Sequence, residues 1–167
     1  MGERVRQARF LALLEENEGI LRKVAGAYTR TAADREELVQ ETVAQLWKSF
    51  PRYDERHRFS TWMYRVALNV AISALRGDVR RRRHAVPAEE EHLEVPAPAP
   101  DATEERRALL NDAMERLEPF DRALLVLHLD GRPYAEIAEV LGITETNVGT
   151  RLGRVRQKLR RDLTPGR

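Results

Sequence analysis

The sequence predicts an all-α protein, built as two small helical domains joined by a flexible Pro/Glu-rich linker. Three observations predict it. Apolar residues recur at three- and four-residue spacing along most of the 167-residue chain, and no segment alternates as a strand would. The stretch "AVPAEEEHLEVPAPAPDA", residues 85–102, interrupts that pattern with four prolines and four glutamates, a composition too polar to build a core. Charge is also segregated: residues 85–118 hold ten acids against three arginines, whereas residues 145–161 hold six Arg/Lys against one Glu. The expected division is therefore residues 1–84, a linker over 85–102, and residues 103–167.

In chain order, the first helix is expected from Arg4 to Tyr28, with Val5, Leu13, Leu14, Leu21, Val24 and Tyr28 along one side. The second runs from an N-cap at Asp34 to Lys48, with Leu38, Val39, Val43, Leu46 and Trp47 inward, until Pro51 stops it. After "PRYDERHRF", Ser60 is placed to cap a third helix that turns Trp62, Met63, Val66, Val70 and Ala74 inward and frays into the run "RGDVRRRRH". The linker, extended at about 3.1 Å per residue, would reach roughly 55 Å. A helix then follows Thr103, with Leu109, Leu110, Ala113, Met114 and Leu117 as its buried stripe. Pro119 opens the next, which ends at Gly131. Pro133 begins another, Gly142 ends it, and Thr144 caps the last.

Composition bounds the function. No run approaches the roughly 18 apolar residues of a membrane span, and the start "MGERVRQARF" lacks the apolar core of a secretory signal, so a cytoplasmic location is expected. There is no cysteine, which excludes disulfides, thiol nucleophiles and thiolate metal sites. The four histidines, His57, His84, His92 and His128, are scattered, and no glycine-rich phosphate loop appears. Neither an enzyme nor a metal or cofactor is expected.

Two segments carry recognition chemistry. In "GRPYAEIAEVLGITETNVGTRLGRVRQKLRR", Val148, Leu152, Val155 and Leu159 fall on one buried face, opposed by Ile137, Ala138 and Leu141. Gly142 supplies a left-handed turn and Ile143 plugs the corner. The other face then offers Glu145, Asn147, Thr150, Arg151, Arg154 and Lys158, groups that suit a helix in the major groove. Farther upstream, six of ten aromatics lie between Trp47 and Tyr64, interleaved with Arg52, Arg56 and Arg58 and followed by Arg65. Aromatic faces beside cations hold unpaired bases, at about 1–3 kcal/mol per stacked base. Trp47, Phe50 and Trp62 are expected to fill a core, Tyr53, Phe59 and Tyr64 are equally explained as core or base contacts, and the acidic side of the second helix as a solvated face or a partner surface.

Taken together, "DREELVQETVAQLWKSF", "FSTWMYRVALNVAISALR" and "LLVLHLDGRPYAEIAEVLGITETNVGTRLGRVRQKL" resemble regions 2 and 4 of the extracytoplasmic-function (group IV) sigma factors of bacterial RNA polymerase. The resemblance covers nearly the whole chain. It implies an alternative sigma factor that binds core RNA polymerase and directs promoter recognition and −10 melting. Region 2 would dock on the β′ clamp helices through Asp34, Glu37, Gln40 and Glu41. Arg52, Tyr53, Arg56, Arg58, Trp62, Arg65, Asn69 and Ser73 would take the −10 element of promoter DNA. Region 4 would read the −35 element through Thr144, Asn147, Thr150, Arg151, Arg154 and Lys158, and meet the β flap. An anti-sigma factor is implied as a further partner. Gly149 and Gly153 stand at expected outward positions where relatives often carry larger side chains, and Ile72 where a polar residue is usual. The competing reading is a stand-alone helix-turn-helix regulator that binds duplex DNA without polymerase.

Overall fold

The computed structural model describes residues 2–84 and 101–164, and every regular element among them is helical. The expected linker lies outside the described residues except for Asp101 and Ala102. The N-terminal elements are α1 (Glu3–Glu16), α2 (Glu18–Tyr28), α3 (Ala32–Ser49), a single 3₁₀ turn (Phe50–Arg52) and α4 (Phe59–His84). The C-terminal elements are α5 (Ala102–Glu115), α6 (Pro119–Leu129), α7 (Tyr134–Leu141) and α8 (Glu145–Leu163).

Several boundaries differ from expectation, each for a local reason. The first helix is two helices. Asn17 leaves the helical region at φ −119°, ψ 15°, and its side-chain amide donates to the Leu13 carbonyl at 2.8 Å. An Asn side chain that bonds nearby backbone in this way competes with the helix ladder. The break turns Val5 out to 58% exposure and brings Phe10 into the core instead. Helix α3 is capped by Thr31, whose hydroxyl accepts from the Asp34 amide at 3.1 Å, so Asp34 lies inside the first turn rather than at the cap. Helix α4 starts at Phe59, which puts Ser60 within its first turn, and its backbone stays helical through the arginine run. Asp101 accepts from the Thr103 and Glu104 amides and starts α5 earlier than Thr103 would.

Helices α2, α3 and α4 pack as a bundle around Leu21, Val24, Leu38, Leu46, Met63 and Leu68. The inward face of α4 is rotated from the expected stripe: Met63, Tyr64, Ala67, Leu68 and Ala71 are buried, while Trp62, Val66, Val70 and Ala74 are half-buried. An aromatic cluster closes one end. Phe10 meets Trp47 and Phe50 with ring centroids 5.2 Å apart, and Phe50 meets Phe59 and Tyr53.

In the C-terminal part, α6 is buried along Ala123–Leu127 and the hairpin of α7 and α8 folds against it. The turns before and after α7 use the same device. Gly131 and Gly142 take φ +74° and +68°, and the following amides, Arg132 and Ile143, reach back to the Leu127 and Ala138 carbonyls at 3.1 Å. The stripe expected on α5 is only partly buried: Ala113, Met114 and Leu117 are inside, while Leu109 and Leu110 face solvent.

Candidate nucleic-acid and polymerase interface

Helix α3 turns Leu38, Thr42 and Leu46 into the bundle, which leaves Asp34, Glu37, Gln40 and Glu41 exposed on the other side. Thr42 is buried at no loss of hydrogen bonding, since its hydroxyl donates to the Leu38 carbonyl at 2.7 Å. On α4, Trp62, Arg65, Asn69 and Ser73 follow one another at helical spacing and share a face. An open groove of about 510 Å³ between α3 and α4 is lined by Glu41, Gln45, Lys48, Asn69 and Ser73, among others. It joins the acidic surface to the polar row of α4. The fold thus makes neighbours of two residue sets that are some thirty positions apart in sequence.

The loop after α3 is organised by its own side chains. Tyr53 stacks on Phe50, stands edge-on to Phe59 at 5.5 Å, and donates its hydroxyl to the His57 carbonyl at 2.6 Å. Burial against these rings raises the Tyr53 phenol above its ordinary value. Arg56 is clamped by Asp54, whose carboxyl the guanidinium holds down to about 2. Arg52 and Arg58 are exposed. Of the six aromatics between Trp47 and Tyr64, Phe50, Phe59 and Tyr64 are buried, whereas Trp47, Tyr53 and Trp62 are half-exposed at the rim. A base laid on this rim would meet Tyr53 and Trp62, whose ring centroids lie 5.0 Å apart.

The last helix sorts its side chains into three arcs. Val148, Leu152 and Val155 are buried. Arg151 and Lys158 flank this face and fold back on their own domain: Arg151 sits 4.6 Å from the Phe120 ring and 3.3 Å from Asp121, and Lys158 donates to the Arg116 carbonyl at 2.7 Å. The arc opposite the buried face carries Thr146, Thr150, Gly153, Arg154, Gln157 and Arg161, all exposed. Thr146, Gln157 and Arg161 were missed in the sequence reading, though they lie where helical period places the antipode of Val148, Leu152 and Val155. Thr144 is a cap, its hydroxyl accepting from the Asn147 amide at 3.1 Å, and Asn147 is exposed beside it. Gly149 does not point outward as expected. It is half-buried, and a Cβ there would meet Tyr134 of α7 at 3.5 Å, whereas Gly153 is open.

Comparison with known proteins gives this geometry a context. The Sigma-70 region 2 family matches residues 13–82, and the Sigma-70, region 4 family matches residues 107–159. The RNA polymerase sigma factor CarQ of Myxococcus xanthus is 34% identical over 136 residues, covering 78% of this chain and 75% of that protein. The chain belongs to the extracytoplasmic-function sigma-70 family. The ECF RNA polymerase sigma factor SigG of Mycobacterium tuberculosis is 31% identical over 164 residues, covering 81% of this chain but 44% of that protein. The chain thus spans less than half the length of some of the curated relatives it matches. Among solved structures, the sigma factor RpoE of Bartonella quintana, in complex with the anti-sigma factor NepR, matches with a TM-score of 0.67 at 19% identity. That match covers 96% of this chain and 98% of RpoE, so the sigma-factor fold extends over both halves.

In sigma-factor terms, α3 and α4 belong to region 2 and α6–α8 to region 4. Among the described residues, no group of three or more His, Asp or Glu is placed to hold a metal ion, and no helix is long and apolar enough to cross a membrane.

Proposed function

We propose that this chain is an alternative sigma factor, a cytoplasmic specificity subunit rather than a catalyst, which binds core RNA polymerase and selects promoters for initiation. The observation that carries the reading is that two separate recognition surfaces occur in one chain in the family's order. An exposed acidic helix face adjoins a polar, aromatic-rimmed row in region 2, and a helix-turn-helix with a cationic outward arc lies in region 4.

Asp34, Glu37, Gln40 and Glu41 would meet the β′ clamp helices, where a negative surface complements a basic one. Asn69, Ser73, Arg65 and Trp62, with Tyr53 and the exposed Arg52 and Arg58, would hold the unpaired −10 strand. Extruding a base costs a few kcal/mol, which stacking on the aromatic rim offsets. Arg154, Thr150, Asn147 and Gln157 would read the −35 duplex in the major groove. Arg151 and Lys158 then act mainly by fixing the helix on its domain, and Arg56 by shaping the loop. An anti-sigma factor is a fitting regulatory partner, since the related RpoE is known in complex with one.

The decisive experiment is transcription of fragmented genomic DNA by bacterial core polymerase with and without the chain, mapping RNA 5′ ends. New starts that share two upstream elements are expected. Specific binding to short duplexes without new starts would instead identify a stand-alone regulator. Glu41→Lys should weaken core binding by about tenfold or more while leaving helicity unchanged, because it sets a cation against a basic partner. Unchanged core affinity would show that the acidic face of α3 is not the docking surface.

A further inference from the structure

Helix α1 brings cations to the aromatic rim of region 2, although the region 2 family match begins only at residue 13. One face of α1 carries Arg6, Arg9 and Phe10, spaced three and four residues apart. Phe10 is the anchor. It is 3% exposed, with its ring centroid 5.2 Å from those of Trp47 and Phe50. That contact fixes where the two arginines stand. Arg6 lies over the Trp47 ring, 5.5 Å from its centroid, and Arg9 pairs with Glu55 in the loop after the 3₁₀ turn. Arg9 also stands near the Tyr53 hydroxyl. Burial raises the Tyr53 phenol, and the Arg9 charge is the largest influence opposing that rise.

The charges of this loop are taken up within the chain, but not all equally firmly. Arg56 is held by Asp54 through Nε and a terminal nitrogen, and the Arg56 amide donates to the same carboxylate. His57 meets the Glu139 carboxylate of α7 at 2.9 Å. The Arg9 pair is of another kind: one contact between two separate elements, made by a Glu55 side chain that is 65% exposed, against 38% for Asp54. An exposed, singly bonded pair adds little to stability and exchanges its acceptor readily, because solvent screens it and both side chains are long. A phosphate diester offers the same negative charge, and a guanidinium takes phosphate oxygens as it takes a carboxylate.

We propose that Arg9 is a further nucleic-acid contact, which leaves Glu55 to bind a backbone phosphate of the unpaired strand held on Tyr53 and Trp62. The proposal rests on the sigma-factor reading above only in naming that strand as the −10 element. Glu55 occupies the phosphate position in the free chain, so it orients Arg9 and at the same time competes with DNA. Phe10 is a positioning residue, since it acts through the placement of α1. Arg6 stays on the Trp47 face and takes no part in the exchange.

The test needs no polymerase. The full chain is titrated with a fluorescent oligothymidylate of about 20 nucleotides, single-stranded or annealed to its complement, at salt from about 50 to 200 mM. Arg9→Ala should bind the single strand about three- to tenfold more weakly and flatten the log–log salt slope by about 0.7, the share of one phosphate on a single strand. Arg9→Lys keeps the charge and should keep most of that slope. Glu55→Gln removes the competing carboxylate at nearly constant size and should bind the single strand about threefold more tightly. All three should keep wild-type helicity. A loss of affinity in Glu55→Gln like that in Arg9→Ala would make the pair a brace for the loop and overturn the phosphate contact. So would an unchanged salt slope in Arg9→Ala, an equal loss on the duplex, or a wild type that does not bind the single strand. Failure of the chain to direct initiation would remove the −10 label and leave the strand contact standing.

Discussion

Gly142 and Gly153 stand eleven residues apart in the same hairpin and are required to different degrees. Gly142 holds φ +68° between α7 and α8, a conformation that costs other residues about 1–2 kcal/mol. Gly142→Ala should therefore lower stability by about that much, measurable as an earlier thermal unfolding of region 4. Gly153 is in ordinary helical backbone with open space at its Cβ position, so Gly153→Ala should raise stability by up to about 1 kcal/mol. Any accompanying loss of −35 duplex affinity would show that the glycine serves close approach to DNA. The first role was readable from a glycine at a helix end. The second was not, because the sequence does not say what lies outside the helix.

Among elements, α8 was the most legible and α1 the least. The buried face of α8 follows directly from its spacing, and its outward arc is the antipode. What spacing could not show is that the flanking cations are already engaged. Arg154→Ala should weaken binding to a −35 duplex and reduce the salt dependence of that binding by about one counterion, as for a free cation facing DNA. Arg151→Ala should leave the salt slope nearly unchanged and instead lower stability by about 1 kcal/mol, since its guanidinium stacks on Phe120 beside Asp121. Equal salt slopes for the two variants would refute this division. Helix α1 failed as a single-helix reading because Asn17 carries no strong breaker signal. Its effect depends on a side-chain bond to Leu13, and the resulting bend is fixed by Phe10 reaching Trp47 and Phe50.

For the whole molecule, the seam where α6, α7 and the turn between them pack on α2 and α4, with the Asp130 carboxylate accepting from Lys23 and Tyr64, predicts a pH profile. Burial would raise the Asp130 carboxyl, but the donors Lys23, Tyr64 and Arg132 outweigh it and hold the group below its ordinary 3.8. A depressed carboxylate contributes fully above its ordinary value, and that contribution is lost as pH falls through the lowered one. Tyr64 behaves in the opposite sense. Burial first, then its bond to Asp130, raises it above 10, so its contribution is full below 10 and is lost as pH rises past the raised value. The pair therefore supports closure evenly from about pH 5 to 9. In a His57→Gln chain, which lacks the imidazole at this seam, the radius of gyration should stay flat across that range and grow at both extremes. A midpoint near neutrality in that variant would mean that another group controls the closure.

By itself the sequence determined the helical class, the two recognition modules in order, the buried face of α8 and the acidic face of α3. Each follows from periodicity, turn residues or local charge, which act over a few residues and are written in order along the chain. Tertiary structure alone decided which polar residues remain available. Arg151 and Lys158 are chemically suited to nucleic acid, yet their partners Asp121 and Arg116 lie 30 and 42 positions away. It also decided that the two halves meet, because Lys23, Tyr64 and Asp130 form one cluster only after three separate elements have packed. No spacing rule encodes that meeting, since a hydrogen bond depends on distance in space and not on distance along the chain.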